Sequence, residues 1–600
     1  MRDPQIHSER LTRLRQRMRE WRIDAVIVPS ADPHLSEYLP ERWQGRLWLS
    51  GFSGSVGTAV VTQDMAGLWT DSRYFEQAER ELAGSEFSLM RLGVPNLPDH
   101  VSWLAAELPR GSVVAAADDV LSLTQRDALQ RKLDAAGIAL RTDLDPLDAV
   151  WDDRPGLPAA PVRAHAPAFA LTTRAERLSL IRAAMRAAQA THHLVSALDD
   201  IAWITVLRGS DIPFNPVFLA HLLITPERCT LFVDVAKLDQ ALRYALAADD
   251  VDIADYAQIG RALAALPAEA RLMLDPARMV VATAGKIPPD ARLVRCANPS
   301  QALKSRKSEA ELAHVRQTMQ RDGVALVRFL IWLEDTLTSG SVITELDIAA
   351  KLLSLRREQA HFVGESFTTI AGYLANGALP HYRATAQSHA TLERHGLLLV
   401  DSGGQYEGGT TDITRTIALG PTTEQQRRDY TLVLKGMIAL SRAKFPQGTS
   451  GQQLDAIARA PIWAEGIDYG HGTGHGVGYF LNVHEGPQTI RRPSPGETGA
   501  ALAVGMITSN EPGIYRPGQH GVRIENLIAT VPAGDKGFGD FLAFETLTLC
   551  PIDTRPIERE RLRCDEREWL NVYHDMVREQ LSPLLGADER RWLAERCAAM

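Results

Sequence analysis

Two pairs of carboxylates in the second half of the chain are each arranged about a turn-forming segment, and this arrangement constrains the fold more than any other feature. Asp401 ends an apolar run, and Asp412 follows the glycine-rich segment 403–409. A hairpin centred between Tyr406 and Glu407 would place Asp401 directly opposite Asp412, with Cβ atoms about 5 Å apart. The glycines on both sides of the tip permit such a turn because they tolerate positive φ angles.

A second carboxylate pair and one histidine extend this pattern. Glu511 and Glu525 flank the Pro-Gly dipeptide at 517–518, so a second hairpin would bring these two side chains together. His475 lies in the glycine-rich segment 470–476. Carboxylate pairs at such separations do not all stay ionised without a cation, and two divalent ions about 3.5–4 Å apart are the usual solution. The residues therefore predict a dinuclear metal site.

Each of these residues also has a simpler structural explanation. An aspartate that follows an apolar strand, as Asp401 does, more often forms a turn or caps a helix than binds a metal. The segment 470–478 is typical of tight turns, and it lacks the Gly-Lys-Ser/Thr ending of a phosphate-binding loop, which argues against nucleotide binding. The combination of four carboxylates with one imidazole is what favours the metal site.

Composition is typical of a globular protein with several domains. The 600 residues are too many for one hydrophobic core, and 45% hydrophobic with 23% charged residues are ordinary values. The net charge of −9 is diffuse, which argues against nucleic acid or an anionic membrane as a main partner. No apolar stretch of about 18 residues occurs, and the amino terminus has no signal-peptide core, so we expect a cytoplasmic protein. The five cysteines form no Cys-x-x-Cys pair, which argues against a disulfide framework or a zinc ribbon.

Helical and strand-like segments alternate along the first half of the chain, which indicates α/β layers. The proline-rich stretch 154–168 is typical of a linker, and the order tryptophan, Gly-Ser, strand, aspartate occurs on both sides of it. We interpret this repetition as a weak internal duplication. The expected domains are 1–155, 156–305, 306–540 and 541–600, of which the last is an extension that packs on the third.

Five separated motifs also carry a resemblance to a known family. In chain order they are Asp401-Ser-Gly-Gly404, Thr411-Asp-Ile-Thr-Arg-Thr416, Gly470-His-Gly-Thr-Gly-His-Gly476, Ser509-Asn-Glu-Pro-Gly513 and Arg523-Ile-Glu-Asn526. They resemble the creatinase/aminopeptidase family, which has the pita-bread fold, and most of all its long, three-domain Xaa-Pro aminopeptidases (aminopeptidase P). The resemblance implies an α/β (α+β) protein in which two creatinase-like amino-terminal α/β domains precede a pita-bread catalytic domain.

The predicted ligand set is rich in oxygen and contains Asp401, Asp412, His475, Glu511 and Glu525. Such a set suits Mn²⁺, with Zn²⁺ or Co²⁺ as alternatives, whereas a structural zinc would prefer thiolates. A hydroxide bridging the two ions would be the nucleophile, because coordination lowers the pKa of water to about 7 in favourable sites. The resemblance gives Glu511 a second role as the proton shuttle for that water.

The resemblance also implies roles for residues outside the ligand set. His381 would hydrogen-bond the substrate and stabilise charge that develops on the scissile group, and His484 would lie near the scissile carbonyl. His471 would line the pocket for the residue after the cleaved bond. Arg523 would steady the ligands from behind, and Arg73 of the first domain would reach the substrate. For any one histidine taken alone, a structural hydrogen bond is the commoner role.

We therefore expect a metallo-exopeptidase that removes the first residue from peptides beginning Xaa-Pro. A prolidase or creatinase-like hydrolase is the alternative among enzymes, and the two extra amino-terminal domains argue against it. A non-catalytic pita-bread scaffold is the alternative outside enzymes, and the filled ligand positions argue against that one. Trp463 aligns with a position that the family uses at a dimer contact, so we expect a homodimer, although a core tryptophan would fit the sequence equally well.

Overall fold

Helices alternate with short apolar strands through the amino-terminal half of the chain, as the sequence pattern predicts. A computed structural model describes residues 4–493, 498–535 and 537–600. The chain divides into two compact units, Met1–Gln301 and Ala302–Met600, and each has its own sheets and hydrophobic cores. Within the described ranges, no helix has both the length and the apolar character that crossing a membrane requires.

The first unit begins with a helix whose apolar face covers a sheet. Leu11, Leu14 and Met18 of this helix recur at helical spacing and are fully buried. The helices and strands of this region are α1 (Pro4–Trp21), β1 (Ala25–Pro29), α2 (Gly45–Ser50), β2 (Thr58–Thr62), β3 (Ala66–Thr70), α3 (Phe75–Leu82), β4 (Phe87–Arg91), α4 (His100–Glu107), β5 (Val113–Ala116), α5 (Leu123–Ala136) and β6 (Ala139–Arg141).

A second sheet in the same unit repeats the plan of the first. Its region contains β7 (Arg163–Ala164), α6 (Arg174–Ala187), β8 (His192–Val195), α7 (Leu198–Thr205), β9 (Leu207–Arg208), β10 (Ala220–Ile224), β11 (Cys229–Val233), α8 (Gln240–Ala248), β12 (Val251–Ala254), α9 (Ile259–Ala264), β13 (Arg271–Leu274), α10 (Val281–Ala284) and β14 (Arg292–Arg295). The strand orders are β4-β3-β2-β1-β5-β6 and β12-β11-β10-β8-β13-β14. Parallel and antiparallel pairs follow one another identically in both sheets, which supports the internal duplication.

Long helices and paired strands make up the second unit. The helix α11 (Pro299–Ser305) spans the boundary between the units. The elements that follow are α12 (Glu309–Thr338), α13 (Glu345–Arg357), β15 (Phe362–Glu365), β16 (Ile370–Tyr373), β17 (Leu397–Ser402), β18 (Gly404–Tyr406), β19 (Gly409–Thr410), β20 (Ile413–Ala418), α14 (Glu424–Ser441), β21 (Lys444–Pro446), α15 (Gly451–Trp463), β22 (Gly474–His475), β23 (Thr489–Ile490), β24 (Ile507–Asn510), β25 (Gly513–Arg516), β26 (His520–Arg523), β27 (Asn526–Asp535), β28 (Asp540–Thr546), α16 (Cys564–Leu581) and α17 (Ala587–Arg596).

The last two helices share a hydrophobic core with α12 and α14. Leu570, Leu581 and Leu593 are fully buried in that core. Arg415 of β20 adds a polar link, because its buried guanidinium donates to the carbonyl of Cys550 (2.8 Å) and to the hydroxyl of Tyr573 (2.8 Å). The carboxyl-terminal segment therefore packs directly behind the strand pair that carries Asp401 and Asp412.

Candidate metal centre

The first predicted hairpin forms, but its register differs from the prediction by two residues. β17 and β20 are antiparallel, and Asp401 lies opposite Thr414 instead of Asp412. The tip is shifted in the same way, with Tyr406 opposite Gly409, because the chain reverses one residue later than the symmetric glycines predict. A shift of an even number of residues keeps side chains on the same face of a ladder, so the predicted proximity of the two aspartates survives.

The second predicted hairpin has the predicted register. β25 and β26 place Gly513 opposite Arg523, and the neighbouring ladder of β24 and β27 continues in the same register. Glu511 and Glu525 therefore lie opposite one another, in a short gap between two ladders.

This gap frees two backbone N–H groups to bond to other elements. The N–H of Glu525 donates to the carbonyl of Thr414 in β20 (3.1 Å), and the N–H of Glu511 donates to the carbonyl of Thr473 in the glycine-rich loop (2.8 Å). The loop approaches closely because residue 474 is glycine: a Cβ there would lie 1.9 Å from the carbonyl oxygen of Ser509. Backbone hydrogen bonds thus join the three segments that carry the predicted ligands.

The predicted ligands converge in the second unit. The ligand atoms of Asp412, His475 and Glu525 all lie within 4.8 Å of one another. Nε2 of His475 lies 3.4 Å from Oδ2 of Asp412 and 3.5 Å from Oε1 of Glu511. Asp401 lies close enough to Asp412 and Glu511 for their charges to affect its titration.

The crowding of carboxylates changes their protonation. Burial and the neighbouring carboxylates raise the pKa of Asp401 to about 7, against the opposing charge of Arg523. Burial also raises the pKa of Glu511, and it raises the pKa of Glu525 well above the usual range. Protons therefore compete for oxygens that a cation would otherwise stabilise in ionised form.

The imidazole of His475 responds to the same negative charge. Burial works against its charged form, but the hydrogen bond to Asp412 and the charge of Glu511 outweigh burial and raise the pKa of His475 to about 9. A cation bound here would take the place of that proton.

Two buried carboxylate oxygens in this group lack a hydrogen-bond partner, Oδ1 of Asp401 and Oε1 of Glu525. Buried polar atoms are normally satisfied, so these oxygens are the ones available to a cation. Four carboxylates with one imidazole also match the donors that Mn²⁺ and related divalent ions take in proteins. The residues present fit a divalent-metal centre.

Two residues that the sequence analysis did not single out connect the ligands behind the centre. Thr414 donates from Oγ1 to Oε2 of Glu525 (2.7 Å) and accepts from Nε of Arg523 (3.0 Å). The hydroxyl of Tyr515 accepts from Nη1 of Arg523 (2.7 Å) and lies 2.8 Å from Nε2 of His471. Strand alternation could have indicated Tyr515, because side chains four residues apart in an extended segment lie on the same face and Tyr515 follows the predicted ligand Glu511 by four residues.

The other predicted residues of the catalytic region lie around this group. Nη2 of Arg523 donates to Oδ2 of Asp401 (2.5 Å) and to the carbonyl of Pro380 (3.3 Å), the residue before His381. The ring of His484 lies 4.2 Å from the ring of His475, centroid to centroid. The structure thus brings His471, His484 and Arg523 to the neighbourhood of the candidate ligands, together with the backbone that precedes His381.

Two further predicted residues, Arg73 and Trp463, belong to other elements of the chain. Arg73 belongs to the first unit, where it forms an ion pair with Asp71 (2.7 Å), and its reach to a substrate stays a prediction. Trp463 ends α15 with 42% of its surface exposed, so the interpretation as a core tryptophan is wrong. Its ring lies 5.7 Å from the guanidinium carbon of Arg492. The predicted dimer contact at this exposed residue stays a prediction.

Known families match this chain along its length. The family described as "Metallopeptidase family M24" matches residues 313–531, the "Creatinase/Prolidase N-terminal domain" matches 10–150 and 153–311, and the "C-terminal region of peptidase M24" matches 540–600. A "Probable Xaa-Pro aminopeptidase P" of Laccaria bicolor is 38% identical over 612 residues, which cover 99% of this chain and 94% of the relative. This chain belongs to the Xaa-Pro aminopeptidase P family. "Aminopeptidase P2" of Arabidopsis thaliana is also 38% identical and matches 95% of this chain and 85% of its own length.

Solved structures of related enzymes agree with this assignment. The X-prolyl aminopeptidase of Caenorhabditis elegans, described as a cytosolic enzyme with a di-nuclear active site, matches with a TM-score of 0.94 at 34% identity, over 99% of this chain and 100% of that one. A prolidase of Pyrococcus horikoshii matches only 63% of this chain and 99% of its own, with a TM-score of 0.50 at 25% identity. The predicted family and fold class are confirmed. The chain is a metallo-exopeptidase in which two creatinase-like domains precede a domain of the pita-bread fold.

Proposed function

We propose that this metallo-exopeptidase hydrolyses the first bond of peptides whose second residue is proline, at a centre for two divalent cations. The convergence of Asp412, His475 and Glu525 within 4.8 Å carries the proposal. The full-length similarity to the X-prolyl aminopeptidase supports the substrate class, and the shorter match to prolidase favours it over dipeptide cleavage.

In this proposal the cations are held by Asp401, Asp412, His475, Glu511 and Glu525. Mn²⁺ is the preferred ion because oxygen donors predominate, with Zn²⁺ or Co²⁺ as alternatives. When bound, the cations would activate water for attack and polarise the scissile carbonyl. Glu511 would accept and return a proton at its carboxylate, whose pKa is raised by burial toward the range useful for such transfer.

The substrate would be oriented by the outer residues. His381 would donate a hydrogen bond to charge that develops on the scissile group, His484 would act beside the carbonyl, and His471 would line the proline pocket. Proline has no N–H and a fixed φ angle, so a pocket shaped for its ring selects it by fit, while another residue would bring an unsatisfied donor. Arg523 would hold Asp401 in place, and Arg73 would contact the substrate from the first domain.

The proposal extends to assembly, location and domain organisation. We propose a homodimer with Trp463 at its contact, because an exposed tryptophan suits an interface anchor. The cytosolic description of the related X-prolyl aminopeptidase supports a cytoplasmic location. The family matches support the division into 1–155, 156–305, 306–540 and 541–600.

A panel of peptides read by mass spectrometry tests the substrate class. We expect Mn²⁺-dependent release of the first residue from Xaa-Pro peptides of three or more residues, little release from Xaa-Ala analogues, and none after acetylation of the amine. Cleavage confined to Xaa-Pro dipeptides would favour a prolidase, and no cleavage by metal-loaded protein would favour a scaffold.

The ligand assignment has its own test. Asp412→Asn and Glu525→Gln keep the shape of each side chain but remove a negative charge, so metal occupancy and activity should both fall. Elemental analysis of the purified variants measures occupancy, and Glu309→Gln is the control, because its carboxylate is 78% exposed and outside the centre. Two bound metals per chain with normal turnover in either variant would contradict the assignment.

A further inference from the structure

A buried carboxylate outside the candidate metal centre gathers donors from a single segment of the chain. Glu345, at the first turn of α13, is fully buried. Its Oε1 accepts from the N–H of Tyr373 (2.7 Å) and from Nδ2 of Asn376 (3.0 Å). Its Oε2 accepts from Nδ2 of Asn376 (3.1 Å), the hydroxyl of Tyr382 (2.8 Å) and the N–H of Ala390 (2.7 Å). All of these donors are neutral.

These donors belong to residues 373–390, the His381 loop. His381 lies between two anchored neighbours in this loop. The carbonyl of Pro380 accepts from Nη2 of Arg523 (3.3 Å), which also binds the candidate ligand Asp401. On the other side, the hydroxyl of Tyr382 lies within hydrogen-bond distance of the carboxylate of Glu345 (2.8 Å) and of the carbonyl of Ser388 (2.9 Å). One anchor therefore ties the loop to the candidate centre, and the other ties it to α13.

The His381 loop has little regular structure that could fix it otherwise. It contains a 3₁₀ turn at Leu374–Ala378 and an isolated bridge between Thr385 and Ser388. The 3₁₀ turn lies directly on β26, since a Cβ on Gly521 would lie 1.7 Å from the carbonyl oxygen of Gly377. The rest of the loop is held by side-chain hydrogen bonds to Glu345, by the backbone N–H of Glu345, which donates to the carbonyl of Ala390 (3.1 Å), and by the packing of Leu379 and Tyr382 in a small hydrophobic cluster.

Burial of a carboxylate is costly unless its oxygens are satisfied. Glu345 meets this condition through its five hydrogen bonds. The capping of α13 does not need Glu345, because Thr344 and Asp347 form the capping box of this helix. The charge of Glu345 therefore serves the His381 loop more than the helix.

We propose that Glu345 is a positioning residue that holds His381 in place for its action on the substrate. It acts through the hydroxyl of Tyr382 and the loop backbone and does not itself contact the substrate. The inference rests on the role given to His381 in the proposed Xaa-Pro hydrolysis.

Two variants test the connection. Glu345→Gln keeps the shape, but in either orientation its amide N–H₂ would face a backbone N–H, that of Tyr373 or that of Ala390, so at least one anchor is lost. Tyr382→Phe removes only the hydroxyl. We expect kcat on a Xaa-Pro tripeptide to fall about 10- to 100-fold in each, with KM and metal content little changed, because displaced supporting groups typically cost that much. The double variant should lose little more than the worse single variant.

A readout independent of activity is hydrogen exchange of the metal-free protein. Exchange in peptides covering residues 373–390 should be faster in Glu345→Gln and in Tyr382→Phe. Asp347→Asn is the matched control, since it removes the same charge from the same helical turn. The Asp347 carboxylate accepts from the backbone N–H (2.8 Å) and the hydroxyl (2.7 Å) of Thr344, which lies outside the loop. This variant should lower thermal stability and leave loop exchange and kcat unchanged.

Several outcomes would overturn the inference. Normal kcat and unchanged loop exchange in Glu345→Gln would do so, as would an equal loss of kcat in Asp347→Asn. If Glu345→Gln does not fold, normal kcat and exchange in Tyr382→Phe decide against it. His381→Ala is measured in parallel: near-normal turnover there removes the proposed role of His381, whereas a large loss there with none in the other two variants removes only the role of Glu345.

Discussion

The buried ion pair between Lys307 and Glu485 should stabilise the second unit, and the effects of substituting its two members should be strongly non-additive. Nζ of Lys307 lies 2.7 Å from Oε1 of Glu485, and the two side chains are 1% and 0% exposed. Nζ also donates to the carbonyls of Val477 (2.7 Å) and Ser305 (3.4 Å), so removing the lysine would leave three buried acceptors without this donor. Oε2 of Glu485 is buried without a hydrogen-bond partner, so the carboxylate depends on the lysine for its stabilisation.

The size of the effect follows from this burial. Removing one member of a buried pair costs about 3–5 kcal/mol, because the other charge stays buried and unpaired. Lys307→Met and Glu485→Gln should each lower the free energy of unfolding by about that amount. In the double variant both remaining groups are neutral, so its loss should be smaller than the sum by about 2–3 kcal/mol.

Urea unfolding of the wild type, the two single variants and the double variant measures this coupling. With an m-value of about 3 kcal/mol/M, each single variant should lower the midpoint by about 1–1.7 M. Hydrogen exchange of peptides from α12 assigns the change to the second unit, since a chain of two units need not unfold in one step. Arg442→Met is the control, because its pair with Asp565 is 37% and 42% exposed and should contribute less than about 1 kcal/mol. Strictly additive losses, or single losses below about 1 kcal/mol, would refute the reasoning.

Two further predictions concern the carboxyl-terminal segment. Arg415→Met should cost at least about 3 kcal/mol, because its guanidinium donates to several buried acceptors including the carbonyl of Cys550; limited proteolysis should then release the segment after residue 550, and unchanged resistance would contradict this. Burial lowers the pKa of His574 to about 4 from 6.5. Between pH 6.5 and 4 the unfolded chain therefore binds a proton at His574 that the folded chain does not bind. The free energy of unfolding is unaffected above pH 6.5 and falls by up to about 3 kcal/mol as the pH decreases toward 4. Chemical unfolding at pH 7, 6, 5 and 4 measures the slope, which His574→Gln should reduce; an equal slope in that variant would assign it to other groups.

Local sequence signals predicted the parts of the centre whose geometry is set by one turn. The Pro-Gly dipeptide at 517–518 gave the correct register for Glu511 and Glu525, because a short tight turn leaves few pairings. The first hairpin was wrong by two residues because several glycines compete for the tip between Asp401 and Asp412.

Partners that are distant along the chain leave no local pattern in the sequence. Glu345 bonds to Tyr382 across 37 positions, and Arg415 bonds to Tyr573 across 158. Neither arginine nor glutamate has a pattern around it that indicates burial, since charged side chains are usually exposed. Such contacts become visible only when the tertiary fold brings the elements together.

The gap between the two ladders at Glu511 and Glu525 has a consequence for the evolution of this architecture. The hydrogen bonds made there, to the carbonyls of Thr473 and Thr414, use main-chain atoms that almost every amino acid possesses. A descendant could therefore exchange its ligand side chains and still inherit the arrangement of the three segments. A duplicated gene could in this way lose hydrolysis while the backbone arrangement of the three segments persists.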